Sequence, residues 1–349
     1  MRLEKEQILD WLGCEDESRL EGLWRLADKA RKENVGDQVH LRGLIEFSNY
    51  CGRRCAYCGI NAGNSHVQRY RMGADAILAC VREAAGYGYG TVVLQSGEDP
   101  ELSATWMADL IRRIKVETDL AVTLSLGERS KAEWRLWKQA GADRYLLRFE
   151  TSNPVLFERI HPSRPDRRSD RVAMLQMLKR IGYEIGSGVM IGIPGQSYED
   201  LANDILLFRQ LDLDMIGVGP YIPHQETPLG RNELPPAPPG EQVPNTELMT
   251  YKVVALARLV CPRANIPSTT ALATLNTAAG RELGLQRGAN VIMPNMTPPK
   301  YRKLYEIYPA KACIGETAEE CRSCMKGRIE SIGRTVGKGR GDAPKITMT

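Results

Sequence analysis

Eight runs of strand-forming residues, each followed by a stretch of helical periodicity, organise most of the chain. They end near Ser48 (LRGLIEFS), Gly97 (TVVLQSG), Gly127 (AVTLSLG), Glu150 (RYLLRFE), Ile193 (GSGVMIGI), Tyr221 (MIGVGPY), Ala271 (NIPSTTA) and Asn295 (NVIMPN). Between them, GADAILACVREAAG repeats apolar residues at Ile77, Leu78, Val81 and Ala85, and SYEDLANDILLFRQLD does so at Leu201, Ile205, Leu206 and Phe208. That spacing predicts amphipathic helices packed by one face on a sheet. Repeated β-then-α units predict a parallel α/β sheet with crossover helices, and eight of them close a (β/α)8 TIM barrel. An open doubly wound sheet is the competing architecture, but it needs two edge strands and no pair reads as edges. We therefore expect an N-terminal helical extension over 1–38, the barrel over 39–296, and a C-terminal cysteine-containing extension over 297–349. The proline-rich stretch 223–244 reads as a surface loop or lid after the sixth strand.

The fourth strand changes the picture of the barrel interior. Alternation puts Arg144, Leu146, Arg148 and Glu150 on one face and Tyr145, Leu147 and Phe149 on the other. The second set is apolar or aromatic and suits packing against helices, so the charged set is expected to face the lumen. Barrel lumens are ordinarily filled by Val, Ile and Leu. Two arginines and a glutamate there are costly unless they pair with each other or with a charged ligand. A structural ion pair fits the residues, but a polar substrate cavity is the favoured reading. Thr123, Ser125 and Gly127 share one face of the third strand, and Gly186, Gly188, Met190 and Gly192 share one face of the fifth, which leaves backbone room.

Composition adds exclusions. The formal charge is +4, with 47 basic and 43 acidic residues, a balance that favours neither nucleic acid nor a membrane surface. No apolar run approaches the roughly 18 residues of a membrane span, and the N-terminus lacks the apolar segment of a secretory signal. A cytoplasmic location is expected. The basic tail, GRTVGKGRGDAPKITMT, reads as a solvated terminus.

Six of the nine cysteines fall in two groups, Cys51/Cys55/Cys58 and Cys313/Cys321/Cys324. Clustered thiols in a reducing compartment point to metal or redox chemistry. The first group follows the first strand, at the face where barrels do chemistry. Structural zinc, with His66 or a carboxylate as fourth ligand, would be closed and four-coordinate. Three thiolates can instead hold three irons of a [4Fe–4S] cube and leave the fourth open for a substrate or cofactor. The second group could hold an auxiliary [2Fe–2S] or [4Fe–4S] cluster, a zinc ion, or nothing. His161 and His224, in proline-flanked loops, receive no role, and Ser96–Glu98 has the composition of a turn, although the nearby cysteine loop favours a functional reading.

The Cys51-x3-Cys55-x2-Cys58 loop, with Tyr57 before the last cysteine, resembles the radical S-adenosylmethionine (SAM) superfamily. Longer segments, HLRGLIEFSNYC, VVLQSGEDP, GADRYLLRFET, NIPSTTA and GANVIMPN among them, are similar to the HydE family, radical SAM maturases for the active-site cluster of [FeFe]-hydrogenase. The similarity runs from about residue 36 to residue 325. Methylornithine synthase and biotin synthase share the cysteine loop but fewer of these segments. The resemblance implies that the open iron chelates SAM and that reductive cleavage yields a 5′-deoxyadenosyl radical. It implies SAM contacts at Ser96, Gly97, Glu98, Glu150 and Arg171, with Thr123 and Ser125 close by. It implies a deeper substrate pocket at Arg148, Thr269, Thr270 and Tyr305, with Arg144 and Met215 nearby. The second cysteine site is variable in that family and is not required for activity. One departure stands out. The family pattern places a histidine where this chain has Phe149, but alternation points that position out of the lumen, so the chemistry is expected to survive.

By the same resemblance, the substrate is a cysteine-ligated iron carbonyl cyanide complex supplied by a tyrosine-lyase maturase. The product passes to a GTPase scaffold maturase, and the electron comes from a donor such as ferredoxin or flavodoxin. A radical SAM mutase or lyase acting on a small amino acid, as in methylornithine synthase, is the alternative. A non-catalytic iron–sulfur or zinc protein is a third.

Overall fold

The computed structural model describes residues 3–165 and 168–344. Its strands are β1 (Gln38–Ser48), β2 (Thr91–Ser96), β3 (Ala121–Ser125), β4 (Arg144–Leu146), β5 (Glu184–Ser187), β6 (Met190–Ile191), β7 (Met215–Ile216), β8 (Gly219–Pro220), β9 (Val291–Ile292) and β10 (Thr335–Val336). Each pairing between them is parallel, in the order β1-β2-β3-β4-β5-β7, with β9 on the other side of β1. The gap between β7 and β9 is filled by residues 265–267, which bridge Met215 on one side and Val291 on the other. The backbone bonds Ile216 N to Asn265 O (3.0 Å), Asn290 N to Ile266 O (2.9 Å) and His40 N to Asn290 O (3.0 Å) complete the circuit. β6 and β8 continue the fifth and sixth strands toward the mouth and pair with each other. The architecture is the expected (β/α)8 barrel.

Local chemistry explains the boundaries. The helix Ala104–Glu117 starts at Ser103, whose hydroxyl accepts from Trp106 N, and buries Met107, Leu110, Ile111 and Ile114. A capping box between Ser197 and Asp200 opens Tyr198–Leu211. The run NIPSTTA differs from its expectation. Pro267 cannot donate to a ladder, and Thr269 caps a helix that begins at Thr270, so the strand-like part ends before the two threonines.

The helices Lys5–Gly13 and Glu17–Val35 pack outside the barrel on Tyr198–Leu211 and Glu247–Val260. Ile8, Leu12, Leu23 and Ala27 bury their apolar side there. Beyond β9, Ala318–Ser331 lies against β10 and the helix Gly280–Gln286.

The basic tail is not a solvated terminus. β10 pairs with Gln38 and Val39, and the chain then crosses the amino-terminal end of the barrel. Arg144 Nη2 donates to the Arg340 carbonyl (3.0 Å) and pairs with Asp342, and Arg42 Nη2 donates to the Gly341 carbonyl (3.0 Å). Inward-facing arginines at the barrel floor need acceptors, and the tail supplies them. The last five residues of the tail lie outside the described residues.

Candidate active site

The mouth of the barrel holds a cavity of about 330 Å³. It is lined by Cys51, Cys55 and Cys58 together with Ser96, Gly97, Glu98, Ser125, Arg148, Glu150, Arg171, Thr269, Thr270 and Tyr305.

The cysteine loop is held by backbone bonds to neighbouring βα loops. Gly52 N donates to Glu98 O (2.9 Å), Ala56 N to Ile160 O (2.8 Å) and Gly97 N to Ser48 O (3.0 Å). A Cβ at Gly97 would stand 2.3 Å from the Tyr50 carbonyl oxygen and 2.8 Å from Cys51 Cβ, so a side chain there would push the loop out of place. Arg69 ties the loop from outside by donating to the carbonyls of Asn49 (2.6 Å), Ile60 (2.7 Å) and Asn61 (2.8 Å).

Burial pushes all three thiols up, Cys58 to about 12, and for Cys55 and Cys58 the nearby cysteine charges add to it. Three thiolates crowded at a buried site need a cation, and a metal or cluster is the ordinary solution. Tetrahedral zinc at 2.3 Å would draw the sulfurs to about 3.8 Å apart. Among the described residues, the trio of ligand-type atoms that closes to within 4.8 Å is Glu98, Glu128 and His161, not the cysteines. His66, the candidate fourth ligand, is exposed and stands 3.2 Å from Glu226. Cys51, Cys55 and Cys58, gathered at the cavity, are the residues that could hold a [4Fe–4S] cube.

Beside the thiols lies a dense charge network. Arg171 Nε donates to Glu128 Oε1 (3.0 Å), Nη2 to Glu98 Oε1 (3.1 Å) and Nη1 to the Arg148 carbonyl (2.6 Å). Arg164 Nη2 takes the other Glu98 oxygen (3.0 Å). Burial alone would raise the Glu128 carboxyl. The Arg171 charge, the Ser169 hydroxyl and the Arg53 charge outweigh that and hold it well below the usual carboxylate range. His161 sits with Nδ1 2.9 Å from Cys55 Sγ, and burial with the Arg171 charge lowers it to about 3, so it is neutral. Sequence reasoning passed over His161 because a loop histidine carries no spacing signal. It also passed over Glu128, which follows the third strand as Glu98 follows the second.

Deeper in, the strand alternation decides orientation. Tyr145 packs on Trp134 and Tyr183, and Phe149 packs on Phe208 with ring centroids 5.7 Å apart. Phe149 therefore lies outside the lumen, and Arg148 and Glu150 face in. Glu150 has φ 61°, a left-handed conformation rarely adopted by a non-glycine residue. Its carboxylate stands 3.1 Å from Arg148 Nη2 and 3.5 Å from the Tyr57 hydroxyl. Arg148 Nη2 and Glu150 Oε2 face each other as an ion pair, and Arg148 Nε has no hydrogen-bond partner among the described residues, so the guanidinium keeps a donor for a ligand. The cavity also contains an ion pair that the sequence did not suggest, between Lys311 of the C-terminal extension and Glu46 of β1.

Arg144 and Met215, expected near the substrate pocket, are elsewhere. Arg144 begins its strand, so it lies in the floor layer, where Nε meets Glu184 (2.7 Å) and Nη1 meets Thr91 (2.9 Å). Met215 begins β7 at the same level, and its sulfur accepts from Arg42 Nη1 (3.0 Å). Thr123, in register with Arg144, is also below the cavity, and its buried hydroxyl has no hydrogen-bond partner among the described residues. In the second cysteine group, contact with Cys321 comes first among the influences that hold Cys313 at about 7, while Cys324 is exposed. That group lies in the extension, and none of its members lines the cavity.

Comparison with known proteins agrees with this geometry. Residues 45–208 match the family described as the radical SAM superfamily, and the protein is a radical SAM enzyme. Within that class the chain belongs to the HydE family. It is 43% identical to the [FeFe] hydrogenase maturase subunit HydE of Thermotoga maritima over 345 residues, covering 99% of this chain and 95% of that one. It is 27% identical to a 3-methylornithine synthase of Methanosarcina acetivorans, over 95% of this chain and 90% of the relative. A crystal structure of methylornithine synthase (PylB) superposes with a TM-score of 0.81, 25% identity and coverage of 97% of this chain and 95% of that one. The family implies a [4Fe–4S] cluster and SAM.

Proposed function

We propose that this radical SAM maturase acts on a cysteine-ligated iron carbonyl cyanide complex bound in the 330 Å³ cavity. When bound, the cluster supplies the electron that cleaves SAM to a 5′-deoxyadenosyl radical, which acts at the cysteine-derived sulfur of the substrate. The residues of the chain bind and orient. Ser96, Gly97 and Glu98 meet the methionine amino group, Glu98 supplying the negative charge. Glu150 and Ser125 meet the ribose or methionine end of SAM. Arg171 is hydrogen-bonded by its neighbours on all three nitrogens, and it positions Glu98 and Glu128. Arg148, with Thr269, Thr270 and Tyr305, holds the substrate, its planar fork suiting a carboxylate.

The observation that carries this reading is Arg148, a guanidinium lining the cavity whose Nε has no hydrogen-bond partner among the described residues and whose Nη2 stands 3.1 Å from Glu150. The protein is tested anaerobically with SAM, a ferredoxin- or flavodoxin-type donor and the iron complex. 5′-Deoxyadenosine formation and restored hydrogenase assembly in an extract lacking this maturase are expected. The extensive likeness to methylornithine synthase supports a second reading, a mutase or lyase of a small amino acid. Turnover of free amino acids without rescue of assembly would favour it.

We also propose that Cys313, Cys321 and Cys324 hold an auxiliary [2Fe–2S] or [4Fe–4S] cluster. Exchange with a tyrosine-lyase maturase and a GTPase scaffold maturase would take place in the cytoplasm. No helix of the described residues is long and apolar enough to cross a membrane.

A further inference from the structure

We propose that His161 is a positioning residue for the cluster, its Nδ1–H donating to the Cys55 sulfur and raising the cluster's reduction potential. The inference rests on the cluster reading of Cys51, Cys55 and Cys58.

The proton's place follows from the partners. Arg171 Nη2 stands 2.8 Å from His161 Nε2, and a guanidinium only donates, so Nε2 accepts. Glu128 Oε1 lies farther from the same nitrogen, at 3.4 Å, and already accepts from Arg171 Nε at 3.0 Å. The shorter and better-matched contact decides the tautomer, which leaves the ring proton on Nδ1, 2.9 Å from Cys55 Sγ. Arg171 cannot swing away to release Nε2, because Glu98, Glu128 and the Arg148 carbonyl hold it. The ring is 1% exposed, so water does not compete for the bond.

The backbone ties the two residues together as well. His161 closes the helix Pro154–Ile160, its N–H donating to Phe157 O at 2.7 Å. On either side of it, Ile160 O accepts from Ala56 N (2.8 Å) and Pro162 O accepts from Arg53 Nη2 (3.0 Å). These bonds come from Arg53 and Ala56, on either side of Cys55, so the helix end that carries the histidine is anchored to the cysteine loop.

A donor to a ligand sulfur stabilises the more negative, reduced cluster more than the oxidised one. Among the described residues His161 is the side chain that meets Cys55 in this way. Easier reduction favours loading of the cluster by the external donor, at the cost of a weaker driving force toward SAM, without His161 touching SAM.

The test is an EPR-monitored redox titration of the reconstituted protein. His161→Leu removes the donor and should make the cluster about tenfold harder to reduce, which for one electron is about 59 mV more negative. His161→Asn can place an amide N–H at the same site and should return the potential toward the native value. A His161→Leu protein with a full cluster and native potential would overturn the proposal. If that variant assembles no cluster, native protein labelled with ¹⁵N-histidine decides by pulsed EPR. A histidine nitrogen coupled to the reduced cluster is the expected result, and absence of coupling refutes the bond. A native protein that binds no [4Fe–4S] cluster would fail the cluster reading itself, a separate outcome.

Discussion

Arg148→Lys should separate substrate handling from SAM handling. The native side chain projects from the inner face of the fourth strand, its Nε without a hydrogen-bond partner among the described residues and its Nη2 3.1 Å from Glu150 Oε2. A carboxylate placed against that fork would accept two charge-assisted bonds, each with a net worth of about 1.5–3 kcal/mol. Lysine can reproduce at most one and offers a point charge in place of a plane. The Arg148 side chain keeps 34% of its exposure, so solvent screens the contact and the lower half of that range applies. The expected loss is about 2 kcal/mol, a roughly 30-fold fall in kcat/KM for substrate-dependent 5′-deoxyadenosine formation. Cluster content should stay native and SAM affinity should change far less than turnover, because lysine keeps a positive charge beside Glu150 and the other residues at the methionine and ribose end are untouched. Glu150→Ala should do the reverse and weaken SAM binding itself. The assay pairs equilibrium SAM binding with anaerobic product quantification for each variant. Equal and mild effects from both changes, or a loss of SAM binding in Arg148→Lys, would refute the division of the cavity.

Cys55→Ala should abolish the SAM-binding cluster and all reductive cleavage, since no spare thiol lies in the loop; native-like 5′-deoxyadenosine production would contradict it. A Cys313/Cys321/Cys324 triple alanine variant should lose iron yet keep SAM cleavage, because those residues lie outside the cavity, and lost turnover with the first cluster intact would make the second site catalytic. Removing residues 335–349 should destabilise the apoprotein by about 2–3 kcal/mol, a few degrees in Tm by calorimetry, since Arg144 loses the Arg340 carbonyl and the Asp342 carboxylate. An unchanged Tm would show that the tail only rests on the floor. Glu128 is held below its unfolded value, so its contribution to stability is present above about pH 4.5 and is lost as pH falls toward the folded value. Apoprotein Tm measured against pH should therefore drop more steeply on the acid side for native protein than for Glu128→Gln, and parallel curves would count against this.

The sequence by itself determined the barrel, the lumen-facing register of the fourth strand and the cysteine loop at the mouth. These are consequences of local rules. Side chains alternate along a strand, a parallel pair needs a crossover, and ligands spaced along one loop stay together whatever surrounds them. That is why Arg148 and Glu150 could be turned inward, and Phe149 outward, from seven residues of sequence.

Tertiary structure decided height along the barrel axis and pairing between distant segments. Arg144 and Arg148 share a face but lie four residues apart, so one reaches the floor and the other the cavity. Alternation has no information about level. The tail that satisfies Arg144 comes from nearly 200 residues away, the separation of Arg144 from Asp342 being 198. Lys311 reaches Glu46 across 265 residues, and His161 reaches Cys55 across 106. Buried charges and buried polar atoms find partners wherever the fold brings an acceptor or donor near, and no periodicity in the chain records those meetings.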